Sequence, residues 1–324
     1  MEAERVYFSK NFDSIFKKLD FSKFGKKVGI KVHFGEKGCR TFVNPDYSKR
    51  IYEKLKQKKE VSLIETNVLY RGSRTIREEH VKLAREHGFF GKIDILDGEK
   101  GEEFIGVEGK KLGKGLRNYD SLVVLSHFKG HVMAGFGGAI KNLAMGLASR
   151  AGKLQMHSSV SPIISDKCIG CGVCVKNCNA KAISLANNKA RIEQEKCLGC
   201  AMCIAVCPEN AIKVPWHGTT IEKLQKSLVE YAEAVFKIIP RERIIFINVL
   251  ENITKDCDCV NSPQEPLIED IGILAGEDIV AVEKASIDLI NEKAGRRLFE
   301  SRQIDFAKRK FGDKAYRLIN LDEL

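Results

Sequence analysis

The chain has no long apolar run. Its longest, such as Ile244 to Ile247, is far too short to cross a bilayer, so no membrane span is expected. The opening residues MEAERVYFSKNFD are acidic and polar and lack the apolar core of a secretory signal. There is no single basic run. Lys and Arg are scattered, with short groups at Lys56, Lys58 and Lys59, at Lys110, Lys111 and Lys114, and at Lys308, Arg309 and Lys310. No aromatic residues interleave with them, which argues for a solvated surface and against a nucleic-acid groove. What remains is an ordinary globular composition, 44% hydrophobic and 30% charged, over 324 residues. That length suffices for one large core or two domains. Together these features suggest a cytoplasmic protein.

Against this background one stretch stands out. Residues 168–179 read CIGCGVCVKNCN and residues 197–208 read CLGCAMCIAVCP, with eighteen residues between Cys178 and Cys197. Each half is Cys-x2-Cys-x2-Cys-x3-Cys, the spacing of a bacterial-type ferredoxin that carries two 4Fe-4S clusters. Three closely spaced thiolates reach three irons of one cube, and the fourth cysteine starts a helix directed at the other cube. The first cluster is therefore assigned to Cys168, Cys171, Cys174 and Cys207, and the second to Cys197, Cys200, Cys203 and Cys178. Gly170, Gly172 and Gly199 suit a loop whose amides turn toward sulfide. Pro208 follows the second quartet, whereas Asn179 stands at the corresponding place in the first. Structural zinc uses one or two Cys-x2-Cys pairs, and disulfides need an oxidising compartment that nothing here indicates. Formal charge is +11. Two oxidised cubes with their thiolates contribute about −4 and leave roughly +7.

Strand and helix signals alternate on both sides of this stretch. Strands are expected at residues 28–34, 61–68, 92–97 and 121–126, with helices at 45–57, 75–87 and 138–149 between and after them. Residues 98–117 suggest a hairpin around 103–107. The run 121–126 is among the most apolar and is expected to be central. Beyond Trp216 come a helix at 219–236, a strand at 243–249, a short strand at 271–274, a helix at 278–291 and a polar C-terminal helix. The reading is an α/β fold: an open, mainly parallel sheet flanked by helices, with an inserted α+β two-cluster ferredoxin-like module. Residues 1–163 and 216–324 supply the two parts of the α/β domain and residues 164–215 the module.

Ligands of open parallel sheets bind beyond the carboxyl ends of the strands. The loops expected there carry Cys39 and Arg40; Tyr70 and Arg71; His127, Lys129, Gly130 and His131; and Asp256, Cys257, Asp258 and Cys259. Gly135, Gly137 and Gly138 run into a helix that also carries Lys141 and Asn142. Helix-start amides and a nearby Lys suit a phosphate. Ile140 stands at the third position of a G-x-G-x-x-G register, so a Rossmann assignment is not made, and close backbone packing is the plainer alternative. Eight of eleven cysteines are assigned, leaving Cys39, Cys257 and Cys259. A further soft-metal site, a redox pair and an exposed acidic loop all remain open for these three.

The segments HFGEKG, SHFKGHVMAGFGGAIKNLAMG, SRAGKLQMHS, CDC and EDIGILAGEDIVAVEKASIDL resemble the domain of unknown function 362 family of iron–sulfur proteins over nearly the whole chain. GFGGAIKNL and CDC are the most specific parts. The resemblance implies a cytoplasmic, often anaerobic, redox role without an established reaction. A more distant similarity to the first domain of nickel-dependent lactate racemases concerns the fold alone. The expected function is an electron-transfer oxidoreductase whose two 4Fe-4S clusters serve a bound acceptor such as FMN or another flavin. The alternative is a non-catalytic electron carrier or metallocentre-assembly protein acting on a partner. A basic surface suits an acidic redox partner such as ferredoxin or flavodoxin, and a homodimer is left open.

Overall fold

A computed structural model describes residues 3–158, 161–216 and 218–323; residues 1, 2 and 324, at the limits of the expected domain ranges, lie outside it. The chain opens with β1 (Glu4–Ser9), α1 (Phe12–Lys18), β2 (Lys27–Lys31), α2 (Pro45–Leu55), β3 (Glu60–Glu65), α3 (Arg77–Glu86) and β4 (Ile93–Ile95). A hairpin of β5 (Phe104–Val107) and β6 (Lys110–Gly113) leads to β7 (Ser121–His127). A second, small hairpin, β8 (Lys129–His131) and β9 (Gly135–Gly137), precedes α4 (Ala139–Leu147) and α5 (Arg150–His157). The cysteine-rich region holds β10 (Ile163–Ile164), α6 (Val173–Lys176), β11 (Ile183–Ala186), β12 (Lys189–Ile192), α7 (Met202–Val206) and β13 (Ile212–Lys213). The chain closes with α8 (Ile221–Phe236), β14 (Ile244–Leu250), β15 (Gly272–Gly276), α9 (Ile279–Ala294), α10 (Gln303–Phe311) and β16 (Tyr316–Asn320).

Eight strands form one sheet in the order β16-β1-β15-β14-β7-β2-β3-β4. The neighbours from β14 to β4 are all parallel, β15 is antiparallel to both its neighbours, and β16 is parallel to β1. Strand β7, expected to be central, lies between β14 and β2, and all seven of its residues are buried. Its pairing with β14 joins segments from both sides of the cysteine-rich region into a single sheet.

The period of two along a strand sends alternate side chains to opposite faces. Leu122 and Val124 of β7, with Ile244, Phe246 and Leu250 of β14, pack under α4, α8, α9 and α10. Val123 and Leu125, with Ile245, Ile247 and Val249, pack on the other face with Phe12 and Ile15 of α1, Ile51 and Leu55 of α2, and Ala84 of α3. Burying each such side chain is worth roughly 1.5–3 kcal/mol, so the register of the central strands is fixed by both faces at once.

Local signals set the helix ends. Asn44 accepts from Asp46 N–H ahead of Pro45, Thr220 accepts from Lys223 N–H, and Asp278 accepts from Ala281 N–H. Three elements differ from the sequence expectation. The edge pair β1 and β16 is half-exposed and carries no clean apolar alternation, so neither strand stands out in the sequence. The short strand near 271–274 runs antiparallel, because it follows β14 through a surface loop rather than a crossover helix.

Candidate functional site

The strand order reverses between β2 and β7: the chain leaves β2 toward β4 and returns to β7 on the other side. A crevice opens at such a switch point beyond the carboxyl ends of the strands. It is a cavity of about 560 Å³. Its polar wall holds His33, Glu65, Arg74, Lys129, His131, Lys141 and Lys153. Val68, Leu69, Met133, Met145, Trp216 and Ile221 form the apolar part, and Cys257 and Cys259 face in as well.

Four cations thus face one carboxylate. Glu65 is fully spoken for: Lys31 Nζ lies 2.9 Å from its Oε1 and Arg74 Nη1 3.6 Å from its Oε2. Burial alone would raise the Glu65 pKa, but Lys31, His33 and Lys153 outweigh it and hold the carboxyl down to about 2. Arg74 is fanned between Glu36 at 3.3 Å, Tyr70 Oη at 2.7 Å and His33 Nε2 at 2.8 Å. Lys153 differs. Its ammonium donates to neutral oxygens only, Thr66 Oγ1 at 2.5 Å and the Asn67 carbonyl at 2.6 Å. Burial pushes its pKa down to about 8, although Glu65 and Asp97 oppose that shift. Among the described residues neither Lys141 nor Lys153 has a carboxylate within ion-pair distance, so the cavity carries charge that an anion would complete.

Histidines complete the wall. The Nδ1 of His131 accepts N–H bonds from Met133 at 3.2 Å and Ala134 at 3.0 Å, which puts the ring proton on Nε2. Burial and the nearby Lys141 keep that ring neutral. His157, one turn along α5 from Lys153, stands edge-on to Trp216 with ring centroids 4.9 Å apart, and burial pushes its pKa down to about 4.

The Cys-x-Cys loop is held from behind. Asp258 is completely buried and points away from the cavity, its Oδ1 2.8 Å from His127 Nδ1 and its Oδ2 2.9 Å from Lys129 Nζ. Burial would raise this carboxyl, yet His127 and Lys129 hold it well below the usual carboxylate range. The acidic neighbour that the sequence sets beside the two thiols is therefore already neutralised by Lys129. Cys259 Sγ lies 3.7 Å from His33 Nε2. A hydrogen bond from Cys257, the contact with His33 and the charge of Lys141 draw the Cys259 thiol well down against burial. The same hydrogen bond, followed by burial, drives Cys257 up.

The other expected site residues fall in three groups. Gly137, Gly138, Lys129, His131 and Lys141 line the cavity, as does Asn142. The Asn142 amide is already engaged, accepting from Lys31 Nζ at 2.8 Å and donating to the Leu125 carbonyl and Ser126 Oγ. Gly135 does not line it: with φ at +79° it packs against the Glu300 carbonyl, 2.0 Å from where a Cβ would sit. The amide-cradle reading of the α4 start needs correction. Ile140 N–H donates to Glu283 Oε1 at 2.8 Å, so a buried carboxyl from α9 takes the place proposed for a phosphate. Cys39 shares the same edge, because its loop meets Asp258 through the Glu36 N–H at 2.8 Å. Its sulfur, however, contacts Thr41 Oγ1 at 3.6 Å. Among the described residues no three His, Cys, Asp or Glu side chains are grouped for a single metal ion.

The eight remaining cysteines gather as two sets around small apolar pockets. Cys168, Cys171, Cys174 and Cys207 line one, and Cys178, Cys197, Cys200 and Cys203 line the other. The two loops share one backbone: Gly170 and Gly199 have φ of +67° and +62°, and Gly172 and Ala201 have +74° and +55°. Backbone N–H groups of Ala190, Ala182 and Ala211 point at the sulfurs of Cys168, Cys178 and Cys207 at 3.4, 3.3 and 3.2 Å. Burial and the neighbouring Cys200 and Cys197 push Cys203 up to about 12 as a free thiol, the signature of a crowded sulfur set without a counter-charge.

His33, Glu65, Arg74, Lys153, His157 and Trp216 were not identified from the sequence. The available signal was the Lys153–His157 pair, four residues apart on a helix that leads straight into the cysteine-rich region. The others are recognisable only once the loops converge.

An open, largely parallel sheet flanked by helices, with a cationic, thiol-bearing cavity at its switch point, defines an α/β protein. The chain belongs to the family described as Domain of unknown function (DUF362), whose model matches residues 28–288. No curated protein matches it. Among solved structures it is similar to the lactate racemase apoprotein from Thermoanaerobacterium thermosaccharolyticum, with 15% identity, a TM-score of 0.42, and coverage of 90% of this chain and 57% of that one. It is also similar to a protein from Thermotoga maritima, with 13% identity, a TM-score of 0.40, and coverage of 87% and 57%. The chain thus spans just over half the length of each. Among the described residues no helix is long and apolar enough to cross a membrane.

Proposed function

We propose that the chain is a metallocentre protein, and more specifically an iron–sulfur oxidoreductase that passes electrons through two 4Fe-4S clusters to or from an anionic acceptor in the cavity. The cysteine sets fit such groups: two pockets, four sulfurs each, with amides directed at the sulfurs. When bound, each cube supplies one-electron chemistry. The chain's own residues would ligate the cubes, hold the acceptor and exclude water between them.

The observation that carries this reading is the double role of α5. Lys153 and His157 line the cavity, while Leu154 on the same helix packs with Cys174, Cys203 and Cys207 and stands next to Gly199 in the second loop. Leu69 likewise lines the cavity and belongs to the apolar cluster of the cysteine region. One layer of side chains thus separates the two sites. A flavin phosphate would meet Lys141 and Lys153 rather than the α4 amides. A non-catalytic carrier or assembly factor would need no internal cavity of this size. An acidic cytoplasmic carrier such as ferredoxin or flavodoxin is the partner this reading calls for. Ile169 and Leu198, each following the first cysteine of its quartet, offer it exposed apolar contacts.

Anaerobic purification followed by iron, sulfide, zinc and flavin analysis tests the proposal. About eight irons per chain are expected. Cys171→Ala and Cys200→Ala should each weaken the EPR signal of one cube and spare the other. Stoichiometric zinc without iron would overturn the reading.

A further inference from the structure

The cavity holds two sulfurs that belong to neither quartet. Cys257 and Cys259 flank Asp258, and the loop is pinned on its far side by Lys129 and His127. The Asp258 carbonyl accepts the Glu36 N–H at 2.8 Å, and Val260 N–H closes a turn onto the Cys257 carbonyl at 3.0 Å. Within this turn Cys257 and Cys259 line the cavity, and Asp258 between them does not. With Asp258 turned inward, both thiols face the cavity, in contact with each other. Residues two apart can bring their Cα atoms within the span that a disulfide bridges.

A soft metal fits this place poorly. His33, the third donor at hand, already has its Nε2 lone pair taken by the Arg74 guanidinium at 2.8 Å. Lys141, which has no carboxylate within ion-pair distance among the described residues, lines the cavity with both sulfurs, and its charge favours thiolates and anions over a cation.

We propose that Cys257 and Cys259 form a reversible dithiol–disulfide couple in the cavity wall, acting on an anionic disulfide substrate. The couple rests on the proposed electron route only for its re-reduction. Cys259 thiolate attacks one sulfur of the bound disulfide, that S–S bond breaks, and the first substrate thiolate leaves beside Lys141 and His131. Cys257 then loses its proton and attacks Cys259, so the Cys257–Cys259 bond forms as the second substrate thiolate leaves. The substrate has gained two electrons and two protons, one proton from Cys257 and one from solvent; the cysteine pair has lost two electrons and the Cys257 proton. Re-reduction of the protein disulfide would take two electrons and one proton, returned to Cys257; 4Fe-4S clusters held by the two cysteine sets would supply those electrons one at a time, drawn from a low-potential one-electron carrier.

The test uses the anaerobically purified full chain. Both thiols lie in one tryptic peptide, residues 256–284, so alkylation and mass spectrometry read their state directly. In buffers of reduced and oxidised dithiothreitol the peptide should switch between doubly alkylated and internally bridged forms along a two-electron curve. Oxidised glutathione, an anionic disulfide, should drive the same oxidation, several-fold more slowly in Lys141→Ala. Cys257→Ser should trap a mixed disulfide on Cys259. Thiols that stay alkylated at every potential, or a Cys257→Ser chain that forms no adduct, would overturn the couple. If dithiothreitol and glutathione switch the peptide but photoreduced, iron-loaded protein does not reopen it, the couple stands and the electron route through the cubes fails.

Discussion

Lys129 Nζ lies 2.9 Å from Asp258 Oδ2, and both groups are buried. This ion pair joins the β8 hairpin after β7 to the loop after β14, two segments more than a hundred residues apart. It also determines which way the Cys-x-Cys loop faces. His127 completes the arrangement from the end of β7, donating to Asp258 Oδ1 from Nδ1.

Removing the carboxylate leaves Lys129 in the interior without its counter-charge. Breaking one side of a buried pair costs about 3–5 kcal/mol. Asp258→Ala should lose stability on that scale in chemical denaturation and release the loop, so that both thiols alkylate faster. A loss below about 1 kcal/mol would show that the pair does not hold the loop.

Glu283 gives a pH signature. Burial raises its carboxyl from 4.5 to about 8 in the folded chain, against the N–H bonds of Ile140 and Ala139. Glu283 Oε2 and Asn248 Oδ1 are both without a partner among the described residues, and a proton on Glu283 shared with Asn248 satisfies both. The folded state then holds a proton that the unfolded state releases. Stability contributed by this group is complete below pH 4.5 and falls as pH rises toward 8, by an amount on the order of a few kcal/mol. Glu283→Gln keeps a donor and an acceptor in place, so denaturation curves should lose this dependence while the fold persists. A variant with an unchanged slope between pH 5 and 8 would remove the assignment.

Lys153 reads the cavity itself. Its pKa, pushed down to about 8 by burial, means that its charge is present below pH 8 and fades above. Affinity for oxidised glutathione or FMN should weaken as pH rises through 8. Lys153→Met should lower affinity on the order of tenfold, the scale of one hydrogen bond to a charged group, and flatten that pH profile. The sign for stability is opposite. Between pH 8 and 10.5 the unfolded chain binds the proton that the folded one has lost, so stability from this group rises with pH in that window. Calorimetric titration across pH 7–9 separates the two effects. An unaltered profile in Lys153→Met would place the anion elsewhere.

The sequence by itself determined whatever depends on spacing along the chain. Short, near-continuous apolar runs in β7 and β14, Asn44 before Pro45 and Asp278 before α9 announce strands and helices, and hence the α/β class, because these signals act over a few residues. Cysteines at x2, x2 and x3 likewise sort into the two sets that line the two pockets. The tertiary structure decided what depends on elements far apart in sequence. Glu283 reaches across from α9 to take the amides of α4, which no local pattern around Gly138 foretells. Arg74, Lys153 and His33 become one electrostatic group only because β2, β3 and α5 end at the same edge. Asp258 beside two thiols reads as an acidic loop until Lys129 meets it from another strand. Charge and burial are properties of three-dimensional neighbourhoods, so the chemistry of the cavity was set by the fold, while the chain's local code specified the scaffold that built it.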